Sequence, residues 1–113
     1  MDKIKQYQKL IISLLEEYAS VKPANLTEHE YQVIADTERN HFQLVSLGWH
    51  QNRFFHYVIL HLDIKPDGKI WLQVNHTDWN IVDNLLENGV SKSEIVLGSI
   101  LPNLRIHSGF ATA

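Results

Sequence analysis

The feature that most constrains this chain is a region, residues 29–75, in which four segments alternate apolar and polar side chains. Such alternation is typical of β-strands, because successive side chains point to opposite faces of a sheet. Short polar stretches at 38–40, 50–52 and 65–68 separate the segments, and the last of them combines Pro66 with Gly68 in a tight turn. Strands joined by such short turns pair antiparallel. The sequence therefore predicts an antiparallel meander sheet of four strands or more.

Two helices are predicted to pack on this sheet. The first spans about Asp2 to Tyr18, where one face carries apolar residues at spacings of three and four: Ile4, Tyr7, Ile11, Leu14 and Tyr18. The second follows the last strand, with Thr77 as N-cap, Asp78 in the first turn and Gly89 as the stop. A capping-box spacing in Ser91–Glu94 predicts a further short turn, and Ala19–Glu28 is predicted to be a loop. The fold class is therefore α+β.

Length and charge narrow the class of protein. The chain has 113 residues, so we expect a single domain, 1–113, with its own core. It has no cysteine, which excludes disulfides, iron–sulfur ligation and thiolate zinc sites. Ten basic against thirteen acidic residues give a net charge of −3, which argues against tight DNA binding by the chain alone. No segment is typical of a signal peptide or a membrane span, so we expect a cytoplasmic protein.

Both faces of the predicted sheet carry apolar or aromatic residues. One set cannot all belong to a single core face: Val45, Leu47, Trp49, Tyr57, Ile59 and Trp71. Because the predicted helices cover one face of the sheet, another surface should cover the second. The sequence therefore predicts a homo-oligomer, a dimer or larger.

Histidine and carboxylate residues provide the first candidates for chemistry. On the third strand, His56 and His61 are five residues apart and are expected to point to opposite faces. His61 and Asp63 share a face, which Trp71 or Gln73 on the neighbouring strand could also reach. Such a pair can bind a metal or share a proton, although it is more often a cross-strand polar pair.

A second group of charged residues, Asp36, Glu38 and Arg39, lies at the end of the first strand. Paired carboxylates can hold Mg²⁺ in a nuclease, with Asp63 as a third ligand. Alternatively, the carboxylates accept hydrogen bonds from the turn or pair with Arg39. The sequence contains neither a serine-nucleophile motif nor a phosphate-binding glycine loop. We therefore assign no catalytic residue, no cofactor and no metal ligand.

Several motifs in a fixed order resemble the XisI family, the fdxN-element excision controlling factor of cyanobacteria. They are Asp36–Leu44, Gly48-Trp49, His61–Ile64 and Asp67–Gln73, and the similarity extends over nearly the whole chain. Eight residues are therefore candidate interaction or family-motif residues: Asp36, Glu38, Arg39, Trp49, His61, Asp63, Trp71 and Gln73. The resemblance carries over no catalytic residue.

The resemblance implies an accessory role in programmed excision of a DNA element during heterocyst differentiation. A site-specific recombinase would perform the strand chemistry, and a companion protein, XisH, would act alongside. The negative charge then predicts contacts with these proteins, without catalysis and without tight binding to DNA by the chain alone. Two alternatives stay open. One is an antitoxin-like subunit that neutralises a nuclease-like XisH partner, and the other is a metal-dependent nuclease that uses Asp36, Glu38 and Asp63.

Overall fold

The computed structural model describes residues 2–21 and 28–113 of the chain. It contains helix α1 and, in chain order, four strands, β1 to β4: Lys3–Ala19, then His29–Asp36, His41–His50, Arg53–Ile64 and Ile70–Asn75. Helix α2, a 3₁₀ turn, strand β5 and a 3₁₀ helix follow: Ile81–Glu87, Lys92–Glu94, Ile95–Leu97 and Pro102–His107. The predicted α+β class is confirmed. The predicted loop Ala19–Glu28 falls mainly on residues 22–27, which lie outside the described residues.

Helix α1 begins where the sequence predicts. The Asp2 carboxylate accepts hydrogen bonds from the backbone N–H groups of Ile4 (3.0 Å) and Lys5 (3.3 Å), and it therefore satisfies two donors that the first turn leaves free. The apolar stripe packs against the sheet, and its most buried members are Tyr7, Ile11, Leu14 and Leu15. None of the helices in the described part of the chain has the length and apolar character needed to cross a membrane.

The sheet has the order β1-β2-β3-β4-β5. The pairs from β1 to β4 are antiparallel, as the predicted meander requires, whereas β5 is parallel to β4. The segment Ile95–Leu97 is too short to show a period, so the sequence identifies it only as apolar. A strand that runs parallel to its neighbour needs a long crossover connection, because a short turn joins only antiparallel strands. Helix α2 lies in this connection between β4 and β5.

A β-bulge interrupts the pairing of β2 with β3. Leu44 lies opposite Leu60, but Val45, the next residue on β2, lies opposite Val58. Ile59 is therefore an extra residue on β3 with no partner on β2. An extra residue changes which face the following side chains occupy, because side chains alternate with a period of two.

The bulge makes the predicted opposite placement of His56 and His61 wrong. His56 lies opposite Leu47, and His61 lies opposite Gln43. Because Gln43 and Leu47 are four residues apart on β2, their side chains point to the same face, and so do those of their partners. The two histidines are five positions apart along β3, but one of these positions is the extra residue Ile59. The remaining four steps are an even number, so both side chains point to the same face.

The hydrophobic core lies between α1, α2 and one face of the sheet. Its fully buried side chains come from both helices and four strands: Ile11, Leu15, Phe42, Leu44, Leu60, Leu62, Ile70, Ile81, Leu85 and Ile95. Two contacts of Glu94 join the first helix to the C-terminal half of the chain. Tyr7 donates a hydrogen bond to Glu94 Oε1 (2.8 Å), and Lys3 forms an ion pair with the same carboxylate.

The start of α2 differs from the prediction. Thr77 is not the N-cap, because the helix begins at Ile81 with Asn80 in the cap position, and Asp78 precedes it. Thr77 instead belongs to a turn in which its Oγ1 accepts a hydrogen bond from the Trp79 N–H (3.1 Å). The ring of Trp79 stacks on another ring, that of Tyr18, at 5.3 Å. This packing keeps residue 79 in the turn, so the helix begins after it, at Ile81.

The end of α2 agrees with the prediction. Gly89 has φ of +94° and follows the C-cap Asn88. Its N–H donates to the Leu86 carbonyl (3.1 Å), while the Val90 N–H donates to the Leu85 carbonyl (3.1 Å). This pair of bonds is a Schellman motif, which requires a left-handed residue at Gly89 and favours glycine there.

The C-terminal segment covers part of the second face of the sheet. The guanidinium of Arg105, a buried residue, lies 4.9 Å from the centre of the Trp71 ring. Arg105 also donates hydrogen bonds to the backbone carbonyls of Gly98, Ile100 and Thr112 (3.0–3.4 Å). The chain itself therefore covers Trp71, one of the residues on which the prediction of a homo-oligomer rests, whereas Trp49 and Tyr57 are exposed.

Candidate functional site

Three neighbouring strands bring polar side chains together on the face of the sheet away from α1. Asp63 Oδ1 lies 2.8 Å from His41 Nδ1 and 2.8 Å from His61 Nε2. The Gln73 amide donates a hydrogen bond to Asp63 Oδ2 (3.1 Å), and Gln43 Nε2 lies 3.3 Å from His61 Nδ1. We call these five residues the His–Asp cluster. They span β2, β3 and β4, so the cluster ties the centre of the sheet together.

The contact with Gln43 indicates which ring nitrogen of His61 donates to Asp63. When the Gln43 amide nitrogen donates to His61 Nδ1, that nitrogen accepts, and His61 Nε2 carries the proton donated to Asp63. Burial of the Asp63 carboxyl would raise its pKa, but hydrogen bonds from His41, His61 and Gln73 outweigh this effect and lower the pKa. The centre of the cluster is therefore a carboxylate surrounded by donors.

Strand register explains how the cluster forms. His41 lies directly opposite Asp63, and Gln43 lies opposite His61. A second irregularity follows on the other side, where His61 lies opposite Val74 but Leu62 lies opposite Leu72. Gln73 is thus an extra residue on β4, and its side chain reaches Asp63.

Of the predicted site residues, His61, Asp63 and Gln73 are brought together, and Trp71 lies opposite Asp63. The sequence prediction did not include His41 or Gln43 in this group. Residues 41 and 63 are far apart in the sequence, and their contact depends on the register of β2 against β3. Sequence spacing alone therefore does not predict it.

The other predicted residues, Asp36, Glu38 and Arg39, lie in the turn between β1 and β2. Asp36 Oδ1 accepts hydrogen bonds from the backbone N–H groups of Glu38 (3.0 Å) and Arg39 (2.9 Å). Its other oxygen lies 3.3 Å from Arg39 Nη1. In residues 2–21 and 28–113, only His41, His61 and Asp63 form a group of three potential metal ligands. Asp36, Glu38 and Asp63 therefore do not meet as the three ligands of a nuclease metal ion.

We expect the Asp36 carboxyl to titrate below its usual pKa of 3.8, because the Arg39 backbone N–H and, less strongly, the Arg39 guanidinium stabilise the charged form. A lowered pKa stabilises the folded state above about pH 4, and this contribution is lost as the pH falls through the folded pKa. NMR titration of the carboxyl carbon measures the shift.

The variant Arg39→Ala keeps the backbone donor and removes only the side chain. Its Asp36 midpoint should therefore rise only part of the way to 3.8. A complete return to 3.8 would contradict the dominant role of the backbone N–H.

A second exposed feature lies at the far end of the β2–β3 hairpin. Gln51 and Asn52 form its two-residue turn with φ of +50° and +63°, which is typical of a tight hairpin turn. Trp49 and Phe54 face each other across the hairpin with ring centres 5.3 Å apart, and each is 53% exposed. Tyr57, which stacks on Phe55, is 64% exposed. Phe55 and Tyr57 point to the opposite face of the hairpin from Phe54, because side chains alternate along a strand. We call Trp49 and Phe54 the hairpin-end surface.

A helix packed on a five-stranded mixed sheet, with a polar cluster on the opposite face and an aromatic hairpin end, defines a small α+β protein. The chain belongs to the XisI family, since the family model described as XisI protein matches residues 1–112. The resemblance inferred from the motifs is thus confirmed.

Two crystal structures of proteins from Anabaena variabilis ATCC 29413 are similar to this chain. A XisI-like protein is 41% identical, with a TM-score of 0.87 over 97% of this chain and 99% of the other. The fdxN element excision controlling factor XisI is 28% identical, with a TM-score of 0.83 over 99% of this chain and 100% of the other. No curated protein matches the chain.

Proposed function

We propose that this chain is an accessory, controlling protein in the excision of a DNA element of the fdxN type, and that it has no catalysis of its own. The observation that supports this most directly is the similarity, over the full length of both chains, to a protein named as the fdxN element excision controlling factor. A site-specific recombinase would then cut and rejoin the DNA. A role on chromosomal DNA in a bacterium implies the cytoplasm.

We propose that the protein acts through contacts with other proteins. The hairpin-end surface exposes two large aromatic rings, those of Trp49 and Phe54. Aromatic residues, tryptophan and tyrosine in particular, are enriched at the centres of protein interfaces and supply much of the binding energy there. A net charge of −3 favours a basic partner surface over DNA. The partner would be a XisH-type companion protein or the recombinase.

Co-purification tests this proposal and locates the surface. We expect an affinity-tagged chain to retain a co-expressed XisH-type companion or recombinase. The double variant Trp49→Ser and Phe54→Ser should weaken that complex at least 30-fold, because it removes two aromatic anchors. The matched control is Leu104→Ser, which alters a similarly exposed apolar side chain (49%) on the C-terminal 3₁₀ helix. Equal loss of binding in both variants would contradict the assignment of the surface.

A gel-shift assay separates protein contacts from DNA contacts. The purified chain alone should bind a DNA fragment weakly at low salt. Tight binding that falls steeply with salt would contradict the proposal, because that dependence indicates contacts with phosphates. Light scattering of the same sample tests the predicted homo-oligomer, which could bury the hairpin-end surface between two copies.

A second candidate is an antitoxin-like subunit that masks the active site of a nuclease-like XisH partner. The negative charge of the chain favours this role, because a nuclease site that binds DNA is basic. The antitoxin-like role differs from the first proposal in one measurable respect. If it holds, expression of the companion alone should damage DNA and slow growth, and co-expression of this chain should restore growth.

A further inference from the structure

We propose that His41, His61 and Asp63 bind a divalent first-row transition metal ion, of which Zn²⁺ is the representative. Two imidazole nitrogens and one carboxylate oxygen lie within 4.8 Å of one another. They come from two adjacent strands, so backbone pairing holds His41 opposite Asp63. This site is independent of the proposed partner contacts, which lie at the other end of the hairpin.

The distances allow an ion to enter with small movements. Ligands bound tetrahedrally at 2.0–2.2 Å from zinc lie about 3.4 Å from one another. Both imidazole nitrogens are now 2.8 Å from Asp63 Oδ1, so each contact would open by roughly 0.6 Å. The two imidazole nitrogens, which lie within 4.8 Å of each other, would settle at about the same 3.4 Å. Side-chain rotation of His41 supplies this change readily, because over half of its side chain is exposed (54%).

The proton balance is simple. When both imidazoles are neutral, each moves its single proton from the nitrogen that faces Asp63 to its other ring nitrogen. His41 Nε2 then donates to solvent, and His61 Nδ1 donates to the side-chain oxygen of Gln43 after rotation of the amide. No net proton is released, and the ion replaces the two hydrogen bonds to Asp63 Oδ1.

Two glutamines would act as the supporting shell of the site. Gln73 holds Asp63 Oδ2 at 3.1 Å and leaves Oδ1 free to face the ion. Gln43 contacts the distal nitrogen of His61 and so fixes the orientation of that ring. Partners of this kind are the usual companions of metal-binding histidines and carboxylates. Their presence distinguishes the cluster from an isolated surface pair.

The ligand set also selects the class of ion. Two nitrogens and one oxygen suit Zn²⁺, Co²⁺, Ni²⁺ or Cu²⁺, whereas Mg²⁺ and Ca²⁺ prefer oxygen alone. Three protein ligands leave one tetrahedral position for water on the exposed side of His41. Two cations, Lys65 and Arg105, lie against the neighbouring Trp71 ring. They oppose a further positive charge and so should moderate the affinity.

Calorimetric titration of the tag-free chain with ZnCl₂ tests the proposal. We expect one Zn²⁺ per chain and no heat from MgCl₂. His41→Ala and His61→Ala should each lower the affinity for Zn²⁺ at least 100-fold, and Gln73→Ala should lower it about tenfold. The control is His56→Ala, an exposed histidine on the same strand and the same face as His61, which should bind Zn²⁺ like the unaltered chain.

Co²⁺ gives a second measurement that does not depend on activity or folding energy. Coordination by nitrogen should produce visible absorption that is absent from His61→Ala. Circular dichroism shows whether each variant is folded. His41→Ala is the variant least expected to disturb folding, because the His41 side chain is exposed. Absence of Zn²⁺ binding to the unaltered chain, or equal binding by the His41→Ala and His56→Ala variants, would overturn the proposal.

Discussion

Replacing Gly48 with alanine is expected to lower the free energy of unfolding by about 3 kcal/mol, because it adds a steric clash to a strained backbone angle. A Cβ atom at this position would lie 2.1 Å from the backbone oxygen of Glu28, and φ is +151°. The same oxygen accepts a hydrogen bond from the Trp49 N–H (3.3 Å). The chain must therefore move the start of β1 away from β2.

Gly89→Ala provides the matched control. Gly89 also has a positive φ, +94°, but an added Cβ would meet no atom within 4 Å. Only the cost of the left-handed conformation applies there, about 1–2 kcal/mol. Urea unfolding measures both values, and hydrogen exchange should show faster exchange of the amides near His29 only in the Gly48 variant. Equal destabilisation, without local exchange in β1, would contradict the clash.

The second large effect is expected for Phe42→Ala, which should cost about 3–5 kcal/mol. Phe42 is fully buried on β2, between Ala35 of β1 and Leu62 of β3. Truncation to alanine removes apolar contact area and leaves a cavity that the surrounding strands cannot fill. Since small domains are stable by only about 5–15 kcal/mol, this change should remove a large part of the total.

Ile106→Ala tests whether burial causes this loss. Ile106 is 71% exposed on the C-terminal 3₁₀ helix, so its truncation should change stability by less than about 0.5 kcal/mol. Urea unfolding followed by circular dichroism measures both variants. A loss below about 1.5 kcal/mol in Phe42→Ala would mean that the core can collapse around the missing ring.

The regular elements were predictable because hydrophobic period determines which face of an element is buried. The period of α1 and of β1 to β4 predicts all five elements, and the Schellman stop at Gly89 was expected. Strand β5 was not predictable as a strand, because three residues show no period. The true start of α2 depends on the packing of Trp79 against Tyr18, which sequence spacing does not reveal.

The candidate site was predictable only within one strand. The alternation of β3 places His61 and Asp63 on one face. Finding His41 requires the register between two strands. If the pairing of His50 with Arg53 continued without interruption, residue 41 would lie opposite residue 62, and His41 would point away from Asp63. The bulge at Ile59 shifts this pairing by one residue and creates the cluster.

The covering of Trp71 was unpredictable for a related reason. Arg105 lies in a segment with no clear period, and a single arginine gives no signal of burial. Its three backbone carbonyl partners compensate for the removal of its charge from water, which is why a charged side chain is buried there. Only the three-dimensional path of residues 98–113 brings these carbonyls together.

The mixed pairing of the sheet has a consequence during synthesis. Strands β1 to β4 each pair with a chain neighbour, so these contacts can form as the chain leaves the ribosome. The free edge of β4 must wait for β5, which follows after about 20 residues. At roughly 5–20 residues per second, that edge is unpaired for about 1–4 s. Pairing of β5 then replaces the six-residue edge of β4 with an edge strand of three residues, and short edge strands are less prone to pair with other chains.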